Sequence, residues 1–116
     1  MRDQSREYAK VAADAAEDKK ANDVVILDIR ELSVIADYFV ICSANSRTQA
    51  QAIADAISER LELRGIRCKS MEGHDEGKWV LLDFGDLIVH VFQEEERRFF
   101  DLERLWGDAP RLSLSV

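Results

Sequence analysis

The chain has 116 residues, 47% of them hydrophobic and 34% charged, with one proline and five glycines. That balance suits one folded domain with its own core, and it excludes a disordered or low-complexity chain. With 16 basic against 23 acidic residues and a formal net charge of −7, the nucleic-acid phosphate backbone is disfavoured as the main ligand, whereas a basic protein partner is compatible.

The opening "MRDQSREYAK" is polar and unlike a signal peptide, and no apolar run approaches the roughly 20 residues of a membrane helix, so a cytoplasmic protein is expected. The following "DQSREYAKVAADAAEDKKAND" is rich in alanine, glutamate and lysine. Tyr8, Val11, Ala12, Ala15 and Ala16 recur at helical spacing, which predicts an amphipathic helix broken by Asn22 and Asp23. "VVILDIR" is β-branched and apolar and predicts a buried strand. "ELSVIAD" is a connection with room for one helical turn, and "YFVICSA" is a second buried strand.

"NSRTQAQAIADAISERLELRG" carries the clearest helical pattern. Ser46 and Gln49 have the spacing of a capping box, Ala50, Ile53, Ala54, Ile57 and Leu61 form one stripe, and Gly65 stands at the C-terminal cap. "IRCKSM" reads as a short strand and "EGHDEGK" as a mobile polar loop. Two strands follow in "WVLLDFGDLIVHVF". "EEERRFFDLERLW" predicts a closing helix that rests on Phe99 or Phe100, Leu102, Leu105 and Trp106, and "GDAPRLSLSV" is a tail. Cys42 and Cys68 form no C-x-x-C pair, lie in apolar stretches, and read as buried thiols in a reducing compartment. The expected architecture is a single α+β domain spanning 1–116, with its core at about 5–107 and a tail at 108–116. Its mixed sheet of roughly five strands has both faces covered, with helices packed on it.

The hairpin can be read in more detail. Gly85-Asp86 between apolar runs is a two-residue turn signal, which sets Phe84 opposite Leu87, Asp83 opposite Ile88 and Trp79 opposite Phe92. Phe84, Leu82, Val80, Leu87, Val89 and Val91 then share one wholly apolar face, which must be core. Trp79, Leu81, Asp83, Ile88, His90 and Phe92 share the other. On that mixed face Trp79 either packs beneath a helix or anchors a partner.

Signals for chemistry are sparse. Asp83 and Asp86 beside a turn could hold Mg²⁺, and "SANS" before a helix could sit near a phosphate; turn and cap duties for Asp83, Asp86 and Ser46 are the favoured reading. His74 and His90 lack metal-ligand spacing and read as a solvated loop histidine and a hydrogen-bonded strand histidine. No catalytic triad, phosphate-cradling glycine loop or activated cysteine is present in the pattern. Arg97 and Arg98 are candidates for a partner surface.

Three stretches together resemble the ribosomal silencing factor (Iojap) family. "EDKKANDVVILDIRELSVIADYFVI" is similar to its Lys-x-x-Asp entry and Asp-Tyr-Phe-Val-Ile strand, and "WVLLDFGDLIVHVF" to its Trp-x-x-x-Asp-x-Gly-Asp-x-x-Val-His-x-Phe run. "RRFFDLERLW" is similar to its closing Arg-x-x-Tyr-x-Leu-Glu-x-Leu-Trp. The likeness spans roughly residues 5–110. It implies a nucleotidyltransferase-like fold without established catalysis, with no cofactor and no metal. It also implies binding to the large ribosomal subunit through ribosomal protein number fourteen, which blocks joining to the small subunit and lowers translation when nutrients are scarce. Roles in large-subunit maturation, and homodimers when free, are implied as well. The family's contact positions fall on Trp79 and Phe84, framed by Asp83, Gly85 and Asp86, and its closing motif on Arg98, Phe100 and Trp106. Phe100 stands where the family usually has tyrosine, and Ala44 where it often has glycine. A non-enzymatic translation repressor is therefore the leading expectation. A nucleotide-handling enzyme using Asp83 and Asp86 with Mg²⁺ is the runner-up, and a pure assembly factor is third.

Overall fold

The computed structural model describes residues 2–112 of the chain. The alanine-rich opening forms helix α1 (Arg2–Asp18). It ends at Lys19–Lys20, ahead of Asn22: Lys20 adopts φ 64°, and the Ala21 N–H closes back on the Ala16 carbonyl at 3.0 Å. Such a left-handed closure satisfies the helix's last carbonyls without glycine. Asn22 instead opens strand β1 (Asn22–Asp28). Asp23 at φ 48° marks an irregularity where pairing with strand β2 (Tyr38–Ala44) shifts between Asn22 and Val25. Between them, residues 30–32 make a hydrogen-bonded turn and no helix.

Helix α2 (Arg47–Leu63) starts as expected, with the Ser46 hydroxyl accepting the Gln49 N–H at 3.1 Å. The reciprocal bond reaches one residue further back, since the Gln49 side chain accepts from the Asn45 N–H at 2.8 Å. Its buried residues are the predicted stripe of Ala50, Ile53, Ala54, Ile57 and Leu61. Strand β3 (Ser70–Glu72) is shorter than "IRCKSM" suggested. The polar loop after it, expected to be mobile, is pinned to α2. Arg47 Nε donates to the Asp75 carbonyl at 2.8 Å, Gln51 to the His74 carbonyl at 2.8 Å, and His74 pairs with Asp55 at 2.9 Å.

Strands β4 (Trp79–Asp83) and β5 (Leu87–Gln93) pair in the predicted register, from Asp83 opposite Ile88 to Trp79 opposite Phe92. The closing helix is split. Helix α3 (Glu94–Phe100) stops at Asp101, whose φ of 48° turns the chain, and a single turn, α4 (Leu102–Leu105), follows. Part of the presumed tail is strand β6 (Arg111–Leu112), antiparallel to β1.

The sheet thus has six strands rather than about five, ordered β3-β4-β5-β2-β1-β6, and it is mixed because β2 and β5 run parallel. Side chains of α1 and α2 cover one face, including the predicted hairpin residues Val80, Leu82, Phe84, Leu87, Val89 and Val91. The other face carries a smaller cluster of Leu27, Ile29, Phe39, Ile41, Ile88 and Phe92, with Leu102, Trp106 and Ala109 packed on it. Cover there is incomplete. Phe99 is 80% and Leu105 73% exposed, so neither is the core contact that helical spacing suggested. Cys42 is buried and Cys68 half-buried. No helix among the described residues is long and apolar enough to cross a membrane.

Candidate partner-binding site

Pleating alternates the residues of β4 and β5 between the sheet's two faces, so Trp79, Leu81 and His90 come together on the thinly covered one. Trp79 is half-buried there. Its indole Nε1–H donates to His90 Nδ1 at 3.2 Å, and its ring lies 4.9 Å from Phe92 and 4.6 Å from Phe100. Phe100, 43% exposed, stands edge-on to the outer Phe99 at 5.1 Å. Beside these rings lies a concavity of about 530 Å³, lined by Trp79, Phe99 and Phe100 together with Glu76, Glu95 and Glu96, with Lys78 the one cation among the described residues that line it.

A buried polar network holds α3 over this end of the sheet. Arg97, 8% exposed, donates to both carboxylate oxygens of Glu103 at 3.2 and 2.8 Å, to the Asn22 carbonyl at 3.1 Å and to the Ser43 hydroxyl at 3.1 Å. Glu94 accepts from Asn22 at 2.8 Å and from the Ser43 hydroxyl at 2.9 Å. Arg97 is therefore an internal brace, not the surface residue expected. Both hydroxyls of "SANS" are committed to protein partners: Ser43 donates to Glu94 and accepts from Arg97, and Ser46 accepts the Gln49 N–H. His90 is 4% exposed, and burial pushes its pKa down to about 4, so its imidazole is neutral.

The residues singled out in the sequence separate into two groups. Trp79, Phe100 and the exposed Arg98 gather at the α3 end. Asp83, Phe84, Gly85 and Asp86 lie at the opposite end of β4, roughly 13 Å away at 3.3 Å per residue. The Asp83 carboxylate accepts the Gly85 N–H at 2.8 Å, and Gly85 supplies the turn's φ of 97°. The Asp86 carbonyl accepts the N–H groups of Asp37 and Tyr38 and so stitches the hairpin tip to β2. Phe84 is 8% exposed and belongs to the core under α1 and α2. Among the described residues no group of three or more His, Cys, Asp or Glu gathers to hold a metal ion, so no third such side chain joins Asp83 and Asp86. Of Phe99 and Phe100, between which the sequence left the choice open, Phe100 turns to Trp79 and Phe99 is left 80% exposed. Sequence reasoning missed the pairing of Arg97 with Glu103, which the left-handed bend at Asp101 makes possible.

The family model described as "Ribosomal silencing factor during starvation" matches residues 2–116. The chain is 51% identical over 105 residues to the ribosomal silencing factor RsfS of Bacillus subtilis, covering 90% of this chain and 89% of that one. It is 34% identical over 107 residues to the chloroplastic protein Iojap of Zea mays, covering 92% of this chain and 46% of that longer one. A crystal structure from Chromobacterium violaceum superposes with a TM-score of 0.87 at 34% identity, covering 97% of this chain and 92% of that one. One from Bacillus halodurans superposes with a TM-score of 0.82 at 41% identity, covering 93% and 98%. Sequence and fold agree along nearly the whole length, and the chain belongs to the ribosomal silencing factor family.

Proposed function

We propose that this protein is a non-enzymatic, cytoplasmic translation repressor that binds the large ribosomal subunit through ribosomal protein number fourteen and sterically blocks subunit joining under nutrient limitation. The observation that carries the reading is the aromatic group Phe99, Phe100 and Trp79, left open at one end of the thinly covered sheet face and rimmed by three glutamates. Aromatic side chains in a desolvated pocket are the usual anchors of protein interfaces. An acidic body with a net charge of −7 favours encounter with a basic ribosomal protein. The buried Phe84 contributes by shaping the hairpin rather than by direct contact, and Asp83, Gly85 and Asp86 set the turn that holds the strand register. Family membership supports the ribosome as the partner.

Co-sedimentation with purified large and small ribosomal subunits tests the proposal. Wild-type protein should pellet with the large subunit alone, and Trp79→Ala should lose about 2 kcal/mol of binding, a roughly thirtyfold weaker Kd. Pelleting with neither subunit, or undiminished binding by a folded Trp79→Ala variant, would refute it.

A further inference from the structure

His90 is a buried polar residue on the second face, 4% exposed and set among apolar side chains. Its neighbours across the sheet are Leu81 on β4 and Ile41 on β2, and its face neighbours are Phe39, Trp79 and Phe92. An apolar side chain would fill that place without the cost of burying an imidazole. Its single hydrogen bond is the one from Trp79, at 3.2 Å, while Nε2 is buried with no partner among the described residues. An indole nitrogen can only donate, so Nδ1 must carry the lone pair and Nε2 the proton. The pair therefore defines both the tautomer of His90 and the direction of the Trp79 ring.

The ring needs such a guide. Trp79 is only half-buried, and its other close neighbours, Phe92 and Phe100, are apolar rings that do not distinguish one edge of the indole from the other. A flipped indole would place its N–H elsewhere and alter the floor of the concavity. We propose that His90 is a positioning residue for partner binding: by accepting the Trp79 N–H it selects the ring orientation in which Trp79, Phe99 and Phe100 present one continuous aromatic surface. This rests on the binding role proposed for that surface. Burial is the sole cause of the low basicity of His90, with no charged group contributing, so the acceptor stays available throughout the neutral range.

Two variants separate positioning from packing. His90→Phe keeps a ring and removes the acceptor. His90→Asn keeps an acceptor at the Nδ1 position and never ionises. In the full chain, nitrogen NMR reports the His90 tautomer and the exchange of the Trp79 indole proton, and fluorescence titration reports large-subunit affinity. The expected results are an Nε2-protonated imidazole, an indole proton protected in wild type and His90→Asn but fast-exchanging in His90→Phe, and affinity weakened about tenfold in His90→Phe, the worth of one hydrogen bond, with His90→Asn within about threefold of wild type. A protected indole proton in His90→Phe, equal affinity loss in both variants, or an Nδ1-protonated imidazole would overturn the assignment. If wild-type protein does not bind the subunit, the binding role fails by itself. The tautomer and exchange data still decide whether His90 orients Trp79.

Discussion

Replacing Arg97 by methionine should unfold this protein at a much lower temperature, and the structure gives the size of the effect. The guanidinium is 8% exposed and holds Glu103 in a two-pronged pair, while also donating to the Asn22 carbonyl and the Ser43 hydroxyl. Methionine matches the stem but leaves Glu103, whose side chain is 21% exposed, without its counter-charge. Breaking a fully buried pair costs about 3–5 kcal/mol; the partial exposure of Glu103 places this case near the lower end, about 3 kcal/mol. For a chain of 116 residues, at roughly 4 °C per kcal/mol, Tm should fall by about 12 °C. Thermal melts followed by circular dichroism would measure it. Because the loss comes from an orphaned carboxylate, the double variant Arg97→Met, Glu103→Met should recover more than half of it. A single-variant drop below about 4 °C, or a double variant no more stable than the single, would show that the network does not brace the α3 end of the sheet.

Three other outcomes are expected. Phe99→Ser should leave stability within about 0.5 kcal/mol, because the ring is 80% exposed, yet weaken large-subunit binding about tenfold in the same sedimentation assay. Gly73→Ala should lower the urea midpoint by an amount worth more than about 1 kcal/mol, since Gly73 sits at φ 81° and a Cβ there would run into the Trp79 carbonyl. Acid should destabilise the fold through His90. The folded state holds its pKa at about 4 against an ordinary 6.5, so the native protein excludes a proton that the unfolded chain accepts. The stability involved is intact above pH 6.5 and is lost as pH falls towards 4, a change of about 3 kcal/mol. Urea titrations across that range should show a shallower slope in His90→Phe than in wild type.

Much of this architecture is local in origin, which is why it could be read from residues alone. The stripe of Ala50, Ile53, Ala54, Ile57 and Leu61 lies on one side of a helix whatever that helix packs against, and Ser46 caps it through a bond three residues away. Gly85-Asp86 sets the hairpin register through backbone geometry at two positions, and strict alternation then assigns every side chain of β4 and β5 to a face. The motif likeness to ribosomal silencing factors spans the chain for the same reason, since it follows these strands and their turn. The sequence pattern carries no comparable signal for contacts between distant segments. The bend at Asp101 needs an aspartate in a left-handed conformation, which Arg97 and Glu103 stabilise only once both stand above β1 and β2. The pairing of Arg111–Leu112 with β1 depends on where that bend sends the chain. Alternation along the hairpin already set Phe84 on the core face. Tertiary packing alone decided that Phe99 stays at the surface. It also decided that Trp79 lies half open against His90, because the exposure of an aromatic ring is set by what the rest of the fold leaves uncovered.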